Sequence, residues 1–272
     1  MIQETTSTDF PQQALSSSCR VTYVGHATIA IDLDGVRILT DPLLRDRVGH
    51  LSRQSLPAHP QDYEEIDAVL ISHTHRDHLD LPSLRRLDNG PRMIVPHGAA
   101  RVAARAELGP IQELRAGDVT TVGPIRVEAI HANHNGNRTP FGRPSAALGF
   151  VIHGNQRIYF AGDTHLFPEM ASLARLKLDA ALLPVWGWGP GLGNGHLDPR
   201  GAAEALSLIR PRVAIPIHWG TFQWMGGRRQ PKHRLSAPPR LFARWAARLA
   251  PEVEVRILTP GEGVDLRGPA TD

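Results

Sequence analysis

The chain of 272 residues predicts a single α/β domain. Strand and helix periodicities mix along its whole length, two hairpin-rich stretches are separated by helical segments, and no linker or composition break divides them. The boundaries implied are a loosely ordered, polar, Ser/Thr-rich leader over residues 1–19 and one domain over 20–272.

The elements follow in order. "RVTYVGHATIAIDLDGVRILTDP" alternates apolar and polar residues on both sides of Asp34-Gly35, a hairpin whose turn tolerates positive φ. "DAVLIS" is a short buried strand. "LPSLRRL" and "GAARVAARAEL" have helical spacing, with the strand "RMIVPH" between them. "IRVEAIHANH" is a strand running into a polar loop. "AALGFVIHGNQRIYFAGDT" repeats the hairpin pattern, with His153-Gly154-Asn155 at the turn. "LDAALLPV" and "RVAIPIHWG" are buried strands on either side of "LDPRGAAEALSLIR", a helix with Asp198 as cap and Pro199 in its first turn. "PPRLFARWAARLA" is a late amphipathic helix and "EVEVRIL" a closing strand.

Composition narrows the function classes. The net charge is +3, and Lys and Arg are scattered, the tightest pairs being Arg85-Arg86 and Arg228-Arg229. A nucleic-acid partner is not expected, because its electrostatic footprint would be more concentrated. No apolar run approaches the roughly 18 residues of a membrane span, and the N-terminus lacks the basic start and apolar stretch of a secretory signal. Cys19 is the only cysteine, which excludes an internal disulfide framework and a cysteine-based zinc site. A cytoplasmic protein acting on a small molecule is the simplest expectation, with the oligomeric state unspecified. Histidine stands out, with 14 residues, several at the ends of apolar runs.

The densest cluster is "HTHRDHLD", which places three histidines and two aspartates in eight positions directly after the strand "DAVLIS". Convergence of imidazoles and carboxylates points to a metal, since both are ligands of zinc, iron and manganese. His73 and His75 are two apart and share a face in extended chain. Asp77 and His78 follow where the chain turns towards a helix, free for a neighbouring cation. Two cations roughly 3.5–4 Å apart can clamp a hydroxide and a substrate oxygen together. Asp163 follows the strand "RIYFAG", and its carboxylate can bind two cations at once; His218 ends the buried strand "VAIPI".

"HTHRDH" resembles the H-x-H-x-D-H motif of the metallo-β-lactamase superfamily. The order of "GHAT", "TDP", the histidine motif, a distal histidine, "GDT" and a late histidine after a strand is similar to that superfamily from about Arg20 to Gly263. The resemblance implies an αββα sandwich with the metals at one edge. "YVGHATI", "LTDPLL", "GHLDP" and "PIHWGTF" resemble the branch containing N-acyl phosphatidylethanolamine phospholipase D and, more distantly, L-ascorbate-6-phosphate lactonase. By resemblance, His73 and His75 hold a first metal with a third histidine, Asp77, His78 and His218 hold a second, and Asp163 bridges. "EAIHANHNGNR" offers His131 or His134 as the third histidine; the phospholipase-like pattern matches His134, leaving His131 to line the pocket or support the site. His26 approaches the site and contacts the substrate, His196 faces the substrate, and Asp41 orients a metal-bound histidine. The aromatic, glycine-rich stretch carrying Trp186 and Trp188 can form one wall of the pocket.

The expected protein is therefore a hydrolase using two divalent metal ions, zinc first, with manganese or iron as alternatives. A metal-bridging hydroxide attacks a phosphodiester of a soluble substrate, and Asp163 and His196 take part directly. A lactonase or other esterase using the same site is the alternative, and a non-catalytic metal-binding sensor or scaffold is the alternative of another class.

Overall fold

The computed structural model describes residues 19–139, 145–186, 195–225 and 232–266. Residues 1–18, nearly all of the expected leader, lie outside them; Cys19 is already the first residue of a strand.

The first sheet starts with β1 (Cys19–Gly25), β2 (Thr28–Leu33) and β3 (Val36–Thr40), all antiparallel. The predicted turn joins β2 to β3: Asp34 (φ 49°) and Gly35 (φ 79°) are both left-handed, as a type I′ hairpin requires. Two short strands, β4 (Arg47–Val48) and β5 (Leu51–Arg53), then leave the sheet. The chain returns with β6 (Ala68–Leu70), β7 (Arg92–Pro96) and β8 (Ile111–Leu114), which add in parallel beyond β3. Their crossovers carry the short helices α1 (Leu81–Leu84) and α2 (Ala100–Ala103).

The second sheet begins as an antiparallel meander of β9 (Val119–Val122), β10 (Ile125–His131), β11 (Leu148–His153) and β12 (Arg157–Phe160). It continues in parallel with β13 (Ala180–Pro184) and, after α3 (Pro199–Ile209), β14 (Val213–Ile217). Asp198 caps α3 by accepting the Gly201 N–H at 2.7 Å. β15 (Phe222–Trp224) joins β5 and β4 in a small third sheet. α4 (Lys232–Leu249) packs on α3, β16 (Glu254–Val255) edges the second sheet, and β17 (Glu262–Leu266) crosses back to pair with β1.

Alternation along the strands shows the layering. Ala68 and Leu70 of β6 face the core between the sheets, with Ile31, Ile38, Phe150 and Phe160. Val69 faces the other way, with Leu81, Leu84 and Ala103 of the first helical layer. Ala202 and Leu206 of α3 and Phe242 and Ala246 of α4 cover the second sheet. The result is the expected αββα sandwich. No helix among the described residues is long and apolar enough to cross a membrane.

Two expectations need correction. The late helix starts at Lys232, so Pro238 and Pro239 lie inside it rather than opening it. A proline pair lacks two amide donors and so reads as a helix start in sequence, yet packing holds the helix through it. "EVEVRIL" contributes only the pair Glu254–Val255; the closing strand is "EGVDL", whose glycine and acidic residues mask it.

Candidate metal centre

The strands converge on one edge, and sharp turns at their ends aim side chains inward. His26 after β1 (φ 59°), Asp41 after β3 (φ 35°) and His218 after β14 (φ 63°) are all left-handed, a backbone cost on the order of 1–3 kcal/mol each for non-glycine residues. Gly162 (φ 60°) precedes Asp163, and a Cβ there would lie 2.6 Å from Ser72 Cβ. Glycine is thus required for β12 to bring Asp163 against the histidine loop.

The loop after β6 carries the motif. His73 Nε2 lies 2.9 Å from His75 Nδ1, and His134 Nε2 lies 3.2 Å from that same atom. Behind this trio, Asp77, His78 and His218 gather with His26 in a fully buried group. Asp163, 1% exposed, stands between them. Its Oδ2 is 3.2 Å from His78 Nε2, 3.9 Å from His73 Nε2 and 3.3 Å from His196 Nε2, and its Oδ1 is 3.3 Å from His218 Nε2. The other aspartate of the cluster, Asp80, plays no part in this grouping. It caps α1 through the Ser83 N–H and pairs with Arg45 at 2.7 Å.

The outer nitrogens of the histidines are tied down. His134 Nδ1 donates to the Gly195 carbonyl at 2.8 Å, His218 Nδ1 to the Trp186 carbonyl at 2.5 Å, and His78 Nδ1 to Asp41 Oδ2 at 2.7 Å. Each bond puts a proton on Nδ1 and aims Nε2 inward, as metal-bound histidines are commonly held; at His134 and His218 that inner nitrogen is unprotonated.

Protonation follows the surroundings. Burial, reinforced by the charge of His78, pushes His73 well below its ordinary value and His75 down to about 4; burial also lowers His134 and takes His218 to about 3. Burial would raise Asp77 and Asp163, but the imidazoles around them outweigh it and hold both well below the usual carboxylate range. His78 moves the other way: against burial, Asp163, Asp77 and Asp41 draw a proton onto it.

These residues fit divalent cations. Asp41, Asp77 and Asp163 are 0%, 6% and 1% exposed, and their ion-pair partners among the described residues are histidines, with no Lys or Arg. Three buried carboxylates need positive charge nearby, and both oxygens of Asp163 lack a well-formed hydrogen bond. The nitrogen spacings of 2.9–3.2 Å approach the ~3.3 Å between two imidazole nitrogens on one tetrahedral zinc.

The structure brings together His73, His75, Asp77, His78, His134, Asp163, His196 and His218. His131 is exposed at the end of β10, its ring edge-on to Phe167 at 5.3 Å, away from these groups. His26 departs from the expectation of a substrate-facing residue. It is 2% exposed, with Nε2 3.1 Å from Asp77 Oδ2 and its ring 3.9 Å from that of His218, so it braces the site from behind. Trp186 packs its side chain on the core and offers its carbonyl to His218; Trp188 lies outside the described residues. Asp41 lies against His78. Sequence reasoning missed Ser72, which lies between Asp41 and His73, and Arg138, whose Nη1 donates to the Thr74 and Leu79 carbonyls at either end of the motif. Ser72 immediately precedes the motif and Arg138 sits in the polar loop after His134, which was the available signal.

Comparison with known proteins agrees with this geometry. A family model described as a β-lactamase superfamily domain matches residues 36–219. A UPF0173 metal-dependent hydrolase from Opitutus terrae is 34% identical over 262 residues, covering 91% of this chain and all of that protein. N-acyl-phosphatidylethanolamine-hydrolyzing phospholipase D 1 from Caenorhabditis elegans is 30% identical over 246 residues, covering 81% of this chain and 68% of that protein. Among solved structures, Igni18, a metallo hydrolase from the archaeon Ignicoccus hospitalis, superposes with a TM-score of 0.69 at 26% identity, covering 93% of this chain and all of that one. With its motif order, its sandwich and its buried histidine–aspartate centre accounted for, the chain belongs to the β-lactamase superfamily, as one of its metal-dependent hydrolases.

Proposed function

We propose that the protein is a dinuclear metal-dependent phosphodiesterase acting on a small, soluble substrate. The observation that carries the reading is Asp163, whose carboxylate lies within 3.2–3.9 Å of nitrogens from both histidine groups. His73, His75 and His134 would hold one cation, Asp77, His78 and His218 the other, with Asp163 shared. The cations, zinc first among them, would supply Lewis acidity and a water acidified towards neutral pH.

The chain's own residues do the rest. The outward bonds of His78, His134 and His218 aim their inner nitrogens at the centre, and those of His134 and His218 are bare. Asp77 is kept ionised by His78 and braced by His26. His196 is buried enough to lose affinity for its proton, but the Asp163 carboxylate 3.3 Å away outweighs this and raises it; its side chain is still 14% exposed. It can therefore hold a proton at Nε2 and pass it to a leaving oxygen. Phosphodiesters are favoured over lactones because of the likeness to the nematode phospholipase.

The test is metal analysis of the purified protein, with turnover of model phosphodiesters, lactones and esters in added zinc, manganese or iron. Close to two metals per chain and diester turnover abolished by chelation are expected, and Asp77→Ala should weaken the second site more than the first. Lactone turnover without diester turnover would move the assignment to a lactonase. Full activity with one tightly bound metal would overturn the dinuclear reading.

A further inference from the structure

We propose that Ser72 is a positioning residue that sets the tautomer of His73 and, through Asp41, ties a ligand of the first histidine group to one of the second. Three of the inward-facing histidines have their outer proton placed by a carbonyl or a carboxylate, which only accept. His73 is different. Its Nδ1 lies 2.9 Å from Ser72 Oγ, and a hydroxyl can donate or accept.

Counting protons settles the direction. Asp41 Oδ1 accepts the Ser72 backbone N–H at 2.7 Å. Asp41 Oδ2 accepts the His78 Nδ1–H at 2.7 Å and faces Ser72 Oγ at 2.5 Å, within the range of an O–H···O⁻ bond. A carboxylate surrounded by donors has no proton to give, so the single hydroxyl proton of Ser72 goes to Asp41. Towards His73 the serine oxygen can then only accept. His73 carries its proton on Nδ1 and presents a bare Nε2, the atom 2.9 Å from His75 Nδ1.

Among the described residues, no group other than Ser72 Oγ is bonded to His73 Nδ1. Asp41, Ser72 and His73 are 0%, 1% and 0% exposed, and Gly162 packs so closely on Ser72 that even a methyl there would collide with it. One carboxylate thus orients His78 directly and His73 through a hydroxyl. Without Ser72 Oγ the His73 proton is free to move to Nε2, where it competes with a cation.

The inference rests on the reading that both groups hold cations, and the experiment separates the two. Nitrogen-15 NMR of histidine-labelled, zinc-stripped full-length protein reads the tautomer directly, with His73 assigned by its loss in His73→Gln. An Nδ1–H His73 in the wild type is expected whether or not two metals bind; an Nε2–H His73 overturns the proposal without any variant at Ser72 or Asp41 having to fold. Zinc content under graded chelator then tests the consequence. Ser72→Ala should shift His73 towards Nε2–H and weaken the first zinc by about 10–100-fold, the range for lost outer support, with the second zinc within about twofold of wild type. Asp41→Asn should weaken both. Equal loss of both zincs in Ser72→Ala, or an unchanged tautomer, would count against Ser72 as the relay.

Discussion

His131 and His134 stand three positions apart in one short segment, yet only His134 reaches the cluster, with Nε2 3.2 Å from His75 Nδ1. Replacing His134 by Ala should lose metal from the first group and most of the turnover, whereas His131→Ala should retain full metal content by elemental analysis. The reverse would show that the loop rearranges. His196 should behave differently from both. In His196→Ala, metal content should stay near wild type while turnover falls by roughly the 10²–10⁴ of a lost proton donor or charge stabiliser. Steady-state rates should show a smaller fall for a p-nitrophenyl leaving group, which needs little protonation. Metal loss in this variant would make His196 a ligand or a support instead.

At the scale of elements, the candidate ligands depend on loops that hold one another. The segment carrying His134 is tied to the motif by Arg138 Nη1, bonded to the Thr74 and Leu79 carbonyls at 3.0 and 2.9 Å, and by Thr74 Oγ1, which donates to the Gly136 carbonyl at 2.6 Å. Arg138→Ala should cost about 1.5–3 kcal/mol, the scale of hydrogen bonds from a charged group, and should weaken the first metal by about tenfold. Arg138→Lys should recover part of both, read by thermal melts and chelator titration. If melts shift but metal affinity does not, the clamp is a fold contact only. A similar lock joins the ends of β1 and β14, where the His218 N–H donates to the His26 carbonyl at 2.7 Å and the His26 N–H to Thr221 Oγ1 at 2.8 Å.

For the whole molecule, the centre joins the two sheets: His73, His75, Asp77 and His78 follow a strand of the first, and His134, Asp163 and His218 follow strands of the second. Cations bound there should bind the folded state in preference to the unfolded chain. At a free concentration about 1,000 times the Kd, one such cation adds roughly 4 kcal/mol. For a domain of this size that is on the order of 10 °C in Tm. Calorimetry of chelated and zinc-restored protein should show that difference, reversed on adding metal. An unchanged Tm would mean that the sandwich holds the centre without help.

By itself the sequence determined the local features: the motif at His73, His75, Asp77 and His78, the left-handed turn at Asp34-Gly35 and the Asp198 cap. Each depends on spacing within a few residues, where backbone geometry alone relates side chain to side chain. Only the tertiary structure put His134 beside His75 and His131 against Phe167, buried His26 behind Asp77, and set Ser72 between Asp41 and His73. It also brought β17 back across the chain, where Cys19 pairs with Leu266. Asp41 meets His78 from 37 positions away and His26 meets Thr221 from 195. Such pairings follow from how the two sheets stack and where their strands end, which no local pattern of residues specifies.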